Sequence, residues 1–165
     1  MRYLFLLLSI CMPMLLKAQF NPNSGKPPYL QYPIVPAFPM TLPDGHVITK
    51  KDLKKDKTMV FVFSVDCDHC KHLTEELIQN IDKFKNYQIL MVTPFQVDQM
   101  KEYYNHYNIS KYSNIIMASE PSRQIMYFYD LKFFPGLYIY TAKDKFVHGF
   151  EGTAKIDSLL YYLKK

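Results

Sequence analysis

Apolar residues along this chain follow two patterns: short unbroken runs, and positions spaced three and four apart. The runs Met59 to Ser64, Gln88 to Thr93, Ile115 to Ala118 and Leu137 to Tyr140 read as strands buried on both faces. Between them the spacing is helical. Leu73, Leu77, Ile78, Ile81 and Phe84 predict a helix reaching about Asn86, and Val97 to Tyr107 a second. Pro121 to Tyr129 predicts a third helix, with proline in its first turn. A last helix begins near Thr153, with Ile156, Leu159, Leu160 and Leu163 on one face. Phe38 to Leu42 and Val47 to Thr49 flank Pro43-Asp44-Gly45-His46, which predicts a small hairpin. Lys51 to Leu53 forms a helical turn, and Ala142-Lys143-Asp144 turns a strand into Lys145 to Phe150. The order is a hairpin, then βαβαβα, then ββα. This predicts an α/β fold whose mixed central sheet is parallel at its centre, extended by antiparallel strands and flanked by helices.

The ends of the chain read differently. Arg2 precedes an apolar stretch from Tyr3 to Leu16, followed by Lys17-Ala18-Gln19. The stretch is short for a bilayer span, and Ala18 offers a cleavage point, so residues 1–18 are expected to be a signal peptide. An uncleaved membrane anchor is the alternative. Cys11 follows Ile10 rather than a small residue, which argues against lipidation there. Seven of the eleven prolines fall between Pro22 and Pro43. Residues 19–32 are expected to be an extended, proline-rich lead, and 33–165 the folded domain.

Composition narrows the class. The 165 residues are 48% hydrophobic, enough for one domain with a core. The net charge of +5 falls further with removal of Arg2 and Lys17. Lys50, Lys51, Lys54, Lys55 and Lys57 are interrupted by Asp52 and Asp56, so no block of like charge points to nucleic acid.

The chemistry gathers at Cys67-Asp68-His69-Cys70. This segment ends an apolar run and opens a helical pattern. There the free N–H groups and the helix dipole stabilise an anion, and a thiolate is one. With Cys11 removed, these two cysteines are the only ones left, and an exported chain can close them into a local disulfide. The expectation is a thiol–disulfide redox centre.

Three segments resemble the thioredoxin superfamily, and specifically its exported TlpA-type redoxins. The stretch from Phe61 to Cys70 is similar to the family's strand and motif. Phe133-Phe134-Pro135-Gly136-Leu137-Tyr138 resembles its cis-proline strand. Phe38 to Gly45 resembles the redoxin hairpin, and Ile115 to Tyr129 the branch's extra strand–helix unit. The resemblance implies Cys67 as nucleophile and Cys70 as the sulfur that resolves the mixed disulfide. It also implies a cis Phe134–Pro135 bond beside the sulfurs, with Phe134 backbone groups open to an extended substrate. Substrate proteins carrying disulfides or dithiols, a membrane electron donor and a location in or facing the periplasm follow, with no resident cofactor.

The chain departs from the family pattern in places. It has no Trp, and Asp66 precedes the first cysteine. The bulky Phe134 precedes the proline, and Met59 to Phe63 carries no acid for proton handling. His69 favours a Cys67 thiolate, whereas Asp66 and Asp68 oppose it, which leaves the direction of electron flow open.

Two other chemistries share the motif. Two thiolates and His148 could serve a copper chaperone like the Sco proteins, although those have a three-residue spacer. Ser64, three residues before Cys67, echoes the Thr-x-x-Cys of peroxiredoxins, but Val60 stands where their proline would be. A zinc site would need a second cysteine pair. His72 lies one turn past His69, while His46 and His106 have no evident partner. Most of the aromatic residues belong to the core, with Phe133 and Phe134 as candidates for a substrate groove.

Overall fold

The computed structural model describes residues 25–54 and 56–165. In chain order its elements are α1 (Pro28–Gln31), β1 (Met40–Thr41), β2 (Val47–Ile48), β3 (Thr58–Val62), α2 (Asp68–Gln79) and β4 (Gln88–Thr93). Then come α3 (Val97–His106), β5 (Ile115–Ser119), α4 (Gln124–Tyr129), β6 (Gly136–Tyr140), β7 (Phe146–Glu151) and α5 (Ile156–Lys164). The strands form one sheet in the order β2-β1-β5-β4-β3-β6-β7. Pairing is parallel between β3, β4 and β5, and antiparallel elsewhere. This is the mixed sheet that the alternation of runs and helical spacings predicts.

The unbroken apolar runs have a direct cause. Every residue of β3, β4 and β6 is buried, and successive side chains serve opposite faces. Met59, Phe61, Ile89, Met91, Leu137 and Ile139 join one core, capped by Leu73 and Leu77 of α2, Met100 and Tyr103 of α3, and Leu159 and Leu163 of α5. Val60, Val62, Leu90, Val92, Tyr138 and Tyr140 join the other, with Ile125 and Tyr129 of α4. The hairpin turns at Gly45, whose φ of 92° suits glycine.

Four local expectations need correction. The helix after the motif stops at Gln79, not near Asn86. Asn80 donates its side-chain amide to the Glu76 carbonyl at 2.8 Å, competing with the helical backbone. Ile81–Phe84 then continues as a separate 3-10 turn that still buries Phe84. The third helix starts at Gln124 rather than Pro121, because Arg123 takes a left-handed conformation with φ 62°. The last helix begins at Ile156, three residues after Thr153.

The fourth concerns the lead. Residues 1–18 and the first part of the 19–32 lead lie outside the described residues. Within that lead, Pro28–Gln31 is helical rather than extended. The Tyr29 ring centre lies 5.3 Å from that of Tyr138 and 5.2 Å from that of Phe146, so aromatic burial anchors the segment. Asp144 accepts the Val35 N–H at 2.8 Å, and the Phe146 N–H donates to the Pro33 carbonyl at 2.9 Å.

Gly136 shows how tight the sheet is beside Pro135. A Cβ there would meet Leu131 Cδ1 at 2.5 Å and the Tyr138 ring at 3.0 Å. Gly136→Ala is expected to destabilise the fold by about 1–3 kcal/mol through overpacking. A lower urea midpoint at unchanged slope checks this, and an unchanged midpoint contradicts it.

Candidate functional site

The site begins where β3 runs out. Past Val62, the Phe63 N–H still donates to the Val92 carbonyl at 2.9 Å, and Ser64 remains buried. The chain then turns. The Asp66 N–H donates to Ser64 Oγ at 3.3 Å, and the Cys67 N–H to the Ser64 carbonyl at 3.3 Å. Cys67 is the N-cap of α2, and its Sγ accepts the Cys70 N–H at 3.3 Å. The sulfur occupies the place usually held by a serine, threonine or aspartate oxygen. It therefore faces the orphan N–H groups and the positive end of the helix dipole.

The two thiols differ sharply in surroundings. Both are free, Cys67 partly exposed and Cys70 buried. Burial, and then its bond to the Cys67 thiol, push the Cys70 thiol far above its ordinary range. Cys70 sits among Phe63, Leu73 and Tyr103 in the first core. Its carbonyl accepts from the Tyr103 hydroxyl at 3.3 Å, and that hydroxyl lies 2.8 Å from Thr74 Oγ1. Burial holds the Tyr103 phenol neutral. This bridge between α2 and α3 was not legible in the sequence, where Tyr103 reads only as part of a helical aromatic stripe.

The antiparallel register pairs Val62 with Gly136 and so brings Pro135 to the end of β3. The Phe134–Pro135 bond is cis. Cys67 Sγ lies 3.8 Å from the Phe134 carbonyl, the acceptor for its thiol proton. Phe134 is half-buried and Phe133 is 71% exposed.

The remaining motif residues face solvent. Asp66, Asp68 and His69 are exposed. Asp68 receives Lys71 Nζ at 3.1 Å, and His72 lies 3.5 Å from Glu76 one turn on. His148 stands on β7 opposite Ile139, its ring stacked on Tyr162 at 3.8 Å. Burial lowers its proton affinity. Among the described residues, no group of three or more His, Cys, Asp or Glu side chains is placed to hold a metal ion.

Two clefts open at this end of the sheet, and Gln99 lines both. One, of about 530 Å³, includes Val65, Asp66, Lys71 and Tyr103. The other, of about 480 Å³, runs from Ser64 and Phe134 to Pro94, Met126 and Arg123. The second cleft joins four separate stretches of chain, so no sequence spacing announces it. Its one signal is compositional, since Arg2 and Arg123 are the only arginines in the chain.

Comparisons with known proteins bear on the family and the fold. The model of the AhpC/TSA family matches residues 34–149. Among solved structures, a secreted disulfide oxidoreductase of Mycobacterium tuberculosis, homologous to E. coli DsbE, superposes with a TM-score of 0.65 at 15% identity. The match covers 78% of this chain and 95% of that one. Copper-bound ScoI of Arabidopsis thaliana superposes at 0.64 with 18% identity, over 80% and 98% of the two chains. Peroxiredoxin Q of Xanthomonas campestris does so at 0.65 with 12% identity, over 77% and 89%. No curated protein sequence matches the chain. At these identities the neighbours share the thioredoxin-like fold.

The contrast between the sulfurs has a measurable consequence. In the reduced native protein, iodoacetamide at neutral pH is expected to modify Cys67 while leaving Cys70 unmodified, with Cys70 reacting only after denaturation. Peptide mass mapping reads the sites, and equal modification of both in the native state contradicts the assignment.

Proposed function

The chain belongs to the AhpC/TSA family, and on that premise we propose that it is a thiol–disulfide oxidoreductase acting on proteins outside the cytoplasm. The supporting observation is the pairing of a half-exposed Cys67 sulfur, capping α2 beside the Phe134 carbonyl, with a buried Cys70 one turn further on.

The steps follow from this asymmetry. The Cys67 thiolate attacks one sulfur of a substrate disulfide. A bond forms between Cys67 and the substrate, and the other substrate sulfur leaves as a thiolate. Cys70 then attacks Cys67 Sγ as its proton passes to the departing substrate sulfur. The Cys67–Cys70 disulfide forms and the substrate, its first thiolate taking a proton from water, leaves as a dithiol, reduced by two electrons. A dithiol partner, for instance a membrane electron donor, restores the pair. The residues of β3 carry no acid, so proton handling falls to the reacting thiols. Location outside the cytoplasm rests on the apolar Tyr3-to-Leu16 segment, with residues 1–18 as its signal. Among the described residues, no helix is long and apolar enough to cross a membrane.

The copper and peroxidase readings draw less support from this chain. His148 of β7 is stacked on Tyr162 of α5, and the Ser64 hydroxyl accepts the Asp66 N–H.

Cys67→Ser is expected to abolish reduction of insulin disulfides, a loss of at least about a hundredfold, since no other exposed thiol is described. Cys70→Ser should accumulate the mixed disulfide, seen as a mass adduct on Cys67. Full insulin reduction by Cys67→Ser overturns the proposal. So does peroxide consumption or tight copper binding by the reduced protein in the absence of any disulfide exchange.

A further inference from the structure

The cleft beside Phe134 carries one charge. Its walls are Pro94, Phe95, Pro121, Met126 and Phe134, and Ser64, Gln96 and Gln99 add neutral polar groups. Among the described residues, Arg123 is the only ionised side chain lining it. It forms no ion pair among the described residues. Across the site, Cys67 is flanked by the exposed Asp66 and Asp68; the cleft on that side is lined by Asp66, Glu102, His106 and Lys71, the last paired with Asp68 at 3.1 Å, so acids outnumber the one lysine there. The mouth of the redox centre is therefore electrically two-sided.

Arg123 is also held in place. The Glu120 N–H donates to the Thr93 carbonyl at 2.8 Å, fastening the end of β5 to the end of β4. The Glu120 side chain is buried; its carboxylate accepts the Ile125 N–H at 2.9 Å and the Ser122 hydroxyl. The Arg123 N–H donates to the Glu120 carbonyl at 3.2 Å, and the Arg123 carbonyl receives the Met126 N–H at 3.1 Å. A guanidinium on a backbone fixed at both ends loses less freedom on binding than one on an open loop. Its planar fork matches a carboxylate.

We propose that Arg123 is a specificity residue of the redox centre, binding a carboxylate in the substrate polypeptide on one side of its reactive cysteine. This rests on the thiol–disulfide exchange argued above. The occupant is a polypeptide because the apolar walls and the Phe134 carbonyl suit an extended chain rather than a bare anion. The acidic groups around Cys67 repel a second carboxylate, so the segment has one orientation. The redox step is unchanged by this contact. Arg123 binds only the flanking side chain, while electrons pass between the sulfurs.

The test uses the reduced protein and a set of synthetic peptides, each carrying one cysteine in a disulfide with a chromogenic thiol. Glu, Gln or Lys is placed two residues before or two residues after the cysteine. With the native protein at low salt, Glu at one of the two positions is expected to raise the second-order rate constant of the single-turnover exchange about three- to fivefold over Gln, the range of an exposed or half-exposed ion pair. At about 1 M salt, where the screening length is roughly 3 Å, the preference should vanish. Arg123→Gln should bring the Glu-to-Gln ratio to about one, Arg123→Glu should favour Lys, and Arg123→Lys should retain part of the native preference. Circular dichroism and urea midpoints establish that each variant is folded.

Exchange with every peptide at equal rates overturns the Arg123 assignment and leaves the oxidoreductase reading standing. Equal enhancement by Glu on both sides of the cysteine also overturns it, since a diffuse field would do that. Failure of the native protein to exchange with any peptide overturns both.

Discussion

The site depends on the burial of β3 between two strands of opposite sense. Val62 pairs with Val92 on the parallel side and with Gly136 on the antiparallel side. Those two registers bring the end of β3, the end of β4 and the start of β6 to the same edge of the sheet. Cys67 follows the first, Pro94 the second, and Pro135 precedes the third. A one-residue slip would exchange every core-facing side chain for its neighbour. The apolar packing on both faces thus fixes the distance between the sulfur and the Phe134 carbonyl.

The two thiols show how a single fold gives identical side chains different chemistry. Cys67 lies at a boundary where hydrogen-bond donors converge and solvent reaches the sulfur. Cys70, one turn later, is buried in the same core as Phe63, Leu73 and Tyr103. Helical geometry keeps the two sulfurs on one face, since residues three apart lie roughly 60° from each other around the axis; the difference comes from position, with Cys67 capping α2 and Cys70 inside its first turn. The Tyr103 and Thr74 hydroxyls then tie the first turn of α2 to α3.

Much of this was legible in the sequence for a specific reason. Strands buried on both faces leave unbroken apolar runs, so Gln88 to Thr93 reads directly as β4. The redox pair is similarly local, and its strand-to-helix setting is visible from flanking residues. Features set by side chains reaching back along the chain were not legible. The apolar period continues through Ile81 and Phe84, concealing the helix end made by the Asn80 amide. Pro121 looks like a first-turn proline, but the Glu120 carboxylate on Ile125 and the left-handed Arg123 set the start of α4. The Arg123 cleft is further out of reach, since its wall is assembled from residues 64, 94–99, 121–126 and 134.

The membership of Cys70 in the hydrophobic core has a bearing on durability. Oxidants meet the partly exposed Cys67 sulfur first and carry it up the ladder from sulfenic to irreversible acids. A charged oxidised sulfur at Cys67 would sit at the partly exposed margin of the core, whereas the same group at Cys70 would lie in its buried interior. The fold thus sets the more accessible sulfur, and with it the first chemical wear, at the margin of the packing rather than in its interior.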